Sequence, residues 1–492
     1  MLAGKEHYID LAAGKFASTS SADLDSVFRN LAQWPSRTLV IHCHGGLNSR
    51  DEGIKRVGGL GPTYLDAGAY PLFVVWQSWV SEVFSNGFVE IFDELIYQAS
   101  FRRMKHFIYS RIGASQAVRS GAPGSEAERA LREEWRKAEA DPAYEPRIPG
   151  ELRNRLFGLS ERDRRNLLNE LMNDQEIQAE TRAIANTLAP QAPDQGRTRS
   201  GAPLAGIRST RMRPEIQDAL RKGGADKRWD PTLTIAKALV DVTVRTCSRF
   251  MHGRDHGVVP TIGEELLREL YLVEGWFSWM KFQIEDAFKP DPGMYGGTAI
   301  LTGLRRLREA GHDLRVVLVG HSAGSIYCCN FIDHARTIVP EQKFDVIFLA
   351  PAVTFERFSR TLDINGAAIN SMRNLSLSDT LERADRWIPK ITEAYPASLL
   401  YFTSGVMECD RAGTGDVPVV GMQRFFSGDV PVDTDANRRV RDYFLAGAGR
   451  TCWSAGSIPE PASGILRAEH HGGFDEDPSV RRTLQDLIRD GF

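Results

Sequence analysis

Residues 315–324, RVVLVGHSAG, constrain this chain more than any other stretch. Positions 316–319 form a short continuous apolar run, the pattern of a strand covered on both faces of a parallel sheet. The run enters Gly320-His321-Ser322-Ala323-Gly324, and a helix is predicted from Ser325 to about Arg336. Strand, G-x-S-x-G, helix is the order of a nucleophile elbow. The turn is so sharp that its flanking positions must be glycine, and it lifts the serine oxygen clear of the sheet edge. A serine presented in this way needs a base, a group that orients the base, and donors for an oxyanion.

The surrounding pattern alternates strands with helices. Residues 8–11 read as a first strand, and 21–31 as a helix capped by Ser20 or Ser21, with Leu24, Val27, Phe28 and Leu31 at helical spacing. Strands are predicted at 38–43 and 72–76, with a helix between them that carries Asp51 and Glu52 near its start. After Trp79 more than 200 residues show little strand character, with helices expected over 88–108, 124–140, 160–186, 233–251 and 262–288. A helix at 297–309 then feeds the elbow strand, and further strands are expected at 346–349, 375–377 and 399–402, with a last helix over 479–488. The fold class is therefore α/β: a mostly parallel sheet flanked by helices, with a large, mainly α-helical insertion. Residues 1–80 and 297–492 form the expected core and 81–296 the insertion, which is read as a cap or lid. Within it, a Pro-, Gly-, Ser- and Arg-rich segment near 190–228 carries nine Lys or Arg against three Asp or Glu over 197–228. A mobile solvated loop is the simpler reading of that excess.

The companions of Ser322 are sought at the ends of strands. His44-Gly45-Gly46-Leu47 follows a strand and precedes a helix, where glycines let backbone N–H groups approach a negative charge. The oxyanion donors expected are the N–H of Ala323 and that of Gly46, with Leu47 as the alternative. The base is expected late in the chain, in EHHGGFD at 469–475, with His471 chosen over His470 because two glycines follow it. The orienting acid is assigned to Asp379, which closes a strand and gives the order Ser…Asp…His; Asp385 and Glu408 compete for the role. His44, Gly45 and His321, beside these loops, and His256, in an Arg-Asp-His-Gly cluster of the insertion, are candidates for substrate contact. Trp76, Trp79, Trp276, Trp279 and Phe282 suit either an apolar pocket or ordinary core.

On GHSAG at 320–324, HGG at 44–46 and the order 322, 379, 471, the chain resembles the α/β-hydrolase superfamily over roughly residues 1–80 and 297–492. More loosely, the LSDTLERAD, SLLYFTSGVME and HHGGFDEDP stretches are similar to those of uncharacterised bacterial members. The resemblance implies a lid entering after the fourth strand and a serine hydrolase without cofactor or metal. The insertion is much larger than usual for the family, so the substrate class does not carry over. A small-molecule or lipid acyl substrate, with carboxylic esters or lipids first, is the default expectation. Amidase, peptidase or thioesterase chemistry fits the same residues. Few strands precede the HGG loop, so a standard edge strand is expected to be missing. With a histidine base, activity should fade as pH drops through roughly 6–7.

Two rival readings remain. His42 and His44 share a strand face, as two metal ligands would, but no third ligand stands at a recognisable spacing. A non-catalytic scaffold binding a partner through the helical insertion would have no need of serine, histidine, acid and oxyanion loop together. The net charge of −3 on 492 residues gives no reason to expect nucleic acid as a partner. The six cysteines form no C-x-x-C pair and no apolar run reaches membrane-spanning length, so a cytoplasmic setting is expected.

Overall fold

The computed structural model describes residues 4–46, 48–76, 87–119, 124–140, 145–188, 211–225, 230–387, 395–409, 415–428, 430, 434–447, 449–459 and 462–492. Its centre is an eight-stranded sheet: β1 (Tyr8–Ala12), β2 (Lys15–Phe16), β3 (Thr38–Cys43), β4 (Tyr70–Trp76), β5 (Arg315–His321), β6 (Phe344–Leu349), β7 (Ile369–Leu377) and β8 (Thr451–Ser454). The spatial order is β2-β1-β4-β3-β5-β6-β7-β8. Only the β1–β2 pair is antiparallel. β5 lies between β3 and β6, so the elbow and the HGG loop leave neighbouring strands at the same end of the sheet.

The unbroken apolar runs have a direct cause, because both sheet faces are covered. On β3, Leu39, Ile41 and Cys43 belong to one packed cluster while Val40 belongs to the other. On β5, Val316 and Leu318 face one way, Val317 and Val319 the other. Each buried aliphatic side chain contributes on the order of 1.5–3 kcal/mol, and a strand covered twice can use every residue for this. The helices that matter for the site are α1 (Ser21–Ala32), α2 (Arg50–Asp66), α3 (Pro231–Met251), α4 (Val258–Leu270), α5 (Glu274–Asp286), α6 (Gly296–Glu309), α7 (Gly324–Ile338), α8 (Asp379–Ala384) and α9 (Pro478–Asp490). Helices α2 and α9 cover the face that carries Val40 and Val317. Helices α1, α6 and α7 cover the other, and the apolar cluster there continues without a break into α3, α4 and α5. Serine caps begin α1 and α2: the Ser20 and Ser49 side chains accept from Asp23 and Glu52 N–H, and those carboxylates reach back.

Between β4 and β5 the described chain is almost entirely helical, as expected. The helix expected over 262–288 is two helices, α4 and α5, separated at residues 271–273. The basic segment lies mostly outside the described residues, and within the remainder Pro214–Ala225 is a helix. The strand expected at 399–402 is corrected: Leu399–Phe402 is a helix that continues as a π-helical turn over Thr403–Met407. A four-residue apolar run is ambiguous between buried strand and buried helix, and the Ser398 side chain settles it here by accepting from the Tyr401 N–H. The sheet position beyond β7 is taken by β8 instead. All six cysteines are buried free thiols, and among the described residues no helix is long and apolar enough to cross a membrane.

Candidate active site

The elbow begins with backbone geometry. Ser322 has φ +50°, a left-handed conformation that costs a non-glycine residue energy and persists only when its surroundings hold it. Its N–H donates to the Leu349 carbonyl at 2.9 Å. Its own carbonyl accepts from the Ala352 N–H at 3.0 Å and from the Ser325 hydroxyl at 2.6 Å. The turn is thus pinned to the end of β6 and to the first turn of α7. The motif glycines are steric necessities: a Cβ on Gly320 would lie 2.9 Å from the Cys328 sulfur, and one on Gly324 would collide with the Cys43 carbonyl of β3. Gly324→Ala is accordingly expected to cost roughly 1–3 kcal/mol of stability, read as a lowered urea midpoint with an unchanged m-value.

Two of the expected residues meet across 149 positions of sequence. The His471 Nε2 lies 2.9 Å from the Ser322 Oγ, and both residues are only 5% exposed. His471 opens a short 3-10 turn, His471–Gly473, and its backbone N–H donates to the Asp385 carboxylate at 2.8 Å. His470, by contrast, has an exposed side chain, with its Nδ1 3.4 Å from Asp385. Burial pushes the His471 imidazole down to about 3, with His321 and Arg56 acting in the same direction and Asp475 against them.

Gly45 and Gly46 lie against the elbow. A Cβ on Gly45 would stand 3.3 Å from the Ser322 Cβ, and one on Gly46 would stand 3.1 Å from the Ala323 Cβ. Among the described residues the N–H groups of Gly46 and Ala323 have no acceptor, so both are free for an oxyanion. Leu47 lies outside the described residues. The Met280 thioether of α5 packs directly on Gly46, so this helix covers the HGG loop. Next to Met280, Trp279 and Phe282 point outward, 42% and 63% exposed. Trp76 is buried, whereas Trp79 and the side chain of Trp276 fall outside what the structure describes.

The structure does not bring Asp379 to His471. Its carboxylate accepts from Arg383 Nε at 2.9 Å and from the Tyr401 hydroxyl at 2.5 Å. Burial works to raise its pKa, but Arg383 and Tyr401 hold it below the usual carboxylate range. Asp379 lines a cavity of about 440 Å³ together with Arg153, Asp255, Arg383 and Arg424. The physical reason is local: Arg383 stands one helical turn along α8 and captures the carboxylate. Asp385 supports the His471 backbone rather than its ring, and Glu408 pairs with Lys281 of α5 at 2.8 Å. Among the described residues the buried His471 Nδ1 has no hydrogen-bond partner. Sequence reasoning passed over Asp475, four residues after His471, whose Oδ2 lies 3.2 Å from the His321 Nδ1 and 3.1 Å from Arg56 Nε.

The remaining histidines divide by partner. His44 ties β3 to β4: its Nε2 accepts from the Trp76 N–H at 3.2 Å while its Nδ1 donates to the Gly45 carbonyl at 2.7 Å. His42 Nδ1 is 2.8 Å from the Tyr64 hydroxyl, on the opposite sheet face from the apolar side chains of Ile41 and Cys43. His321 Nε2 donates to the His471 carbonyl at 3.0 Å. His256 stands apart, in a fully buried ionic network. Its nitrogens meet Glu264 at 2.8 Å and Asp416 at 2.9 Å, and Arg249 joins Glu264 to Glu265. That network ties α3 and α4 to the chain after β7. Comparison with family models, with curated proteins and with solved structures finds no match to this chain.

Proposed function

We propose that the chain is a serine hydrolase of the α/β-hydrolase type, cleaving an acyl substrate, a carboxylic ester or lipid by default, through an acyl-enzyme on Ser322. The observation that carries the reading is the 2.9 Å approach of the His471 Nε2 to a Ser322 hydroxyl held at φ +50° between strand and helix. A buried serine and histidine at this distance are placed for proton transfer. As Oγ attacks the acyl carbon, its proton passes to His471 Nε2, and the carbonyl oxygen takes up charge facing the Gly46 and Ala323 N–H groups. His471 then gives the proton to the leaving group, and water repeats the sequence to release the acid. Amide or thioester cleavage would use the same groups.

The helical segment between β4 and β5 serves in this reading as the cap. Met280 packs on Gly46, so α5 covers this loop, and displacing the helix would open the site to substrate. Lys281 holds the helix to Glu408, and the Ala13 N–H donates to Gln283 at 3.2 Å, two contacts that such a shift would stretch. The buried free thiols suit a reducing cytoplasm.

The test is labelling with a serine-directed fluorophosphonate, wild type beside Ser322→Ala. Labelling of wild type alone is expected. Equal labelling of both would remove Ser322 as nucleophile, and labelling of neither would favour a binding scaffold.

A further inference from the structure

Resting on the hydrolase reading of Ser322 and His471, we propose that Asp475 is the acid of this site and that it acts through His321. The order is then Asp475, His321, His471, Ser322, with no carboxylate placed directly on the catalytic imidazole.

The geometry leaves few alternatives. Asp379 is held by Arg383 and Tyr401, Asp385 by the His471 backbone, and Glu408 by Lys281. Asp475 is 1% exposed, and neither of its carboxylate oxygens accepts an aligned hydrogen bond. Its backbone is nevertheless fixed, because Arg481 of α9 donates to its carbonyl at 2.9 Å. His321 first, and Arg56 with it, act on the carboxylate and hold it ionised in spite of burial. Among the described residues the buried His42 Nε2, Arg56 Nη1, His321 Nδ1 and His471 Nδ1 likewise have no hydrogen-bond partner. A buried carboxylate beside cationic and imidazole groups that it does not fully satisfy is costly, and such an arrangement belongs at sites rather than in cores.

His321 is the connecting element. It occupies the residue before Ser322, so its ring orientation is set by the same elbow. One nitrogen faces Asp475 and the other donates to the carbonyl of His471, while the two rings lie 5.4 Å apart at 34°. Asp475 therefore orients His321, and His321 fixes the backbone that carries the base. The carboxylate also supplies negative charge when Ser322 gives its proton to His471 and an imidazolium forms. Asp475 takes no proton at any step; the single proton moves from Oγ to Nε2 and on to the leaving group. His321 and Arg56 oppose the new imidazolium and Asp475 favours it, while Tyr64, on His42 Nδ1, is neutral. Asp475 and His321 are positioning residues in this account, since neither touches the acyl group.

The experiment compares Asp475→Asn, His321→Gln, the double variant and Asp379→Asn in ester hydrolysis and in the rate of fluorophosphonate labelling. Asp475→Asn is expected to lower kcat by about 10²- to 10³-fold with KM changed only a few-fold, a split that general loosening would not produce. His321→Gln should cost a similar factor, and the double variant no more than the larger single loss, because both changes break one chain of contacts. Asp379→Asn should retain kcat within about three-fold. Should Asp475→Asn fail to fold, Arg56→Gln decides the charge argument: with the carboxylate less opposed, kcat should hold or rise, and a hundred-fold fall would overturn it. Additive losses, or full activity in Asp475→Asn, would also overturn the assignment. Wild type that fails to react at Ser322 defeats the hydrolase reading itself; wild type that reacts while Asp475→Asn is unimpaired defeats only this inference.

Discussion

Replacing Ser322 or His471 by alanine is expected to lower hydrolysis of an activated ester by about 10⁴- to 10⁶-fold, and the double replacement by no further factor, because the two groups act as one unit. Circular dichroism should show the variants folded, since alanine at either place leaves β5, α7 and the His471–Gly473 turn unchanged in backbone. The pH dependence carries a second expectation. The working base is neutral imidazole, and its protonated form is inactive. Burial lowers this imidazole to about 3, so kcat/KM should stay level as pH falls from 7 through 6. This differs from the limb at 6–7 that a solvated histidine would give. A one-proton limb near 6.5 would contradict an imidazole held neutral by burial. A loss below ten-fold for either alanine variant would overturn the proposed chemistry.

Below about pH 6 the protein should lose stability cooperatively, and activity with it. His42 is held down to about 4, His44 to about 3 and His471 to about 3, each first by burial. The sign follows from linkage. In the unfolded chain these imidazoles titrate near 6.5, so between that value and the folded ones the unfolded state binds more protons, and stability falls as pH falls. By pH 4.5 each imidazole has removed about 2–3 kcal/mol, on the order of 8 kcal/mol for the three. Glu382 works the other way: burial raises it to about 8, so it stabilises the fold as pH drops from 8 toward 4.5, offsetting about 2–3 kcal/mol below pH 6.5. The net loss of about 5 kcal/mol is a large part of ordinary domain stability. Urea midpoints measured from pH 7 to 4.5 should fall steeply. His42→Phe, whose ring can pack beside Phe73 and Tyr64, should flatten that slope by about one proton. A midpoint independent of pH across this range would contradict the buried neutral histidines.

The parts of the site that were legible in the sequence are those fixed within a few residues. GHSAG implies its own backbone, because a sharp turn between strand and helix leaves no room for Cβ atoms at 320 and 324. HGG at the end of β3 was readable for the same reason, and the two glycines following His471 marked it over His470. Asp379 misled because a carboxylate closing a strand looks alike whether it turns toward a histidine or along its own helix. Arg383, four residues on, was the visible signal for the second outcome. Asp475 gave a fainter one. In Asp475-Glu476-Asp477-Pro478, Asp477 caps α9 by accepting from the Ser479 and Val480 N–H groups, and Glu476 is exposed, which leaves Asp475 to turn inward. Met280 offered no signal at all, since its contact with Gly46 joins two segments more than 230 residues apart.

The sequence by itself determined the α/β class, the doubly covered strands, the helical character of the segment between β4 and β5, and the conformation around Ser322. Each of these follows from periodicity or from steric limits that act over a turn or two of chain. Only the tertiary structure decided which carboxylates lie near His471 and His321, which helix packs on the HGG loop, and that four apolar residues at 399–402 form a helix rather than a strand. Those outcomes depend on which partner arrives first at a buried polar atom or an open sheet edge. Neighbours along the chain, Arg383 for Asp379 and Ser398 for Tyr401, won over the more distant partners that the linear pattern suggested.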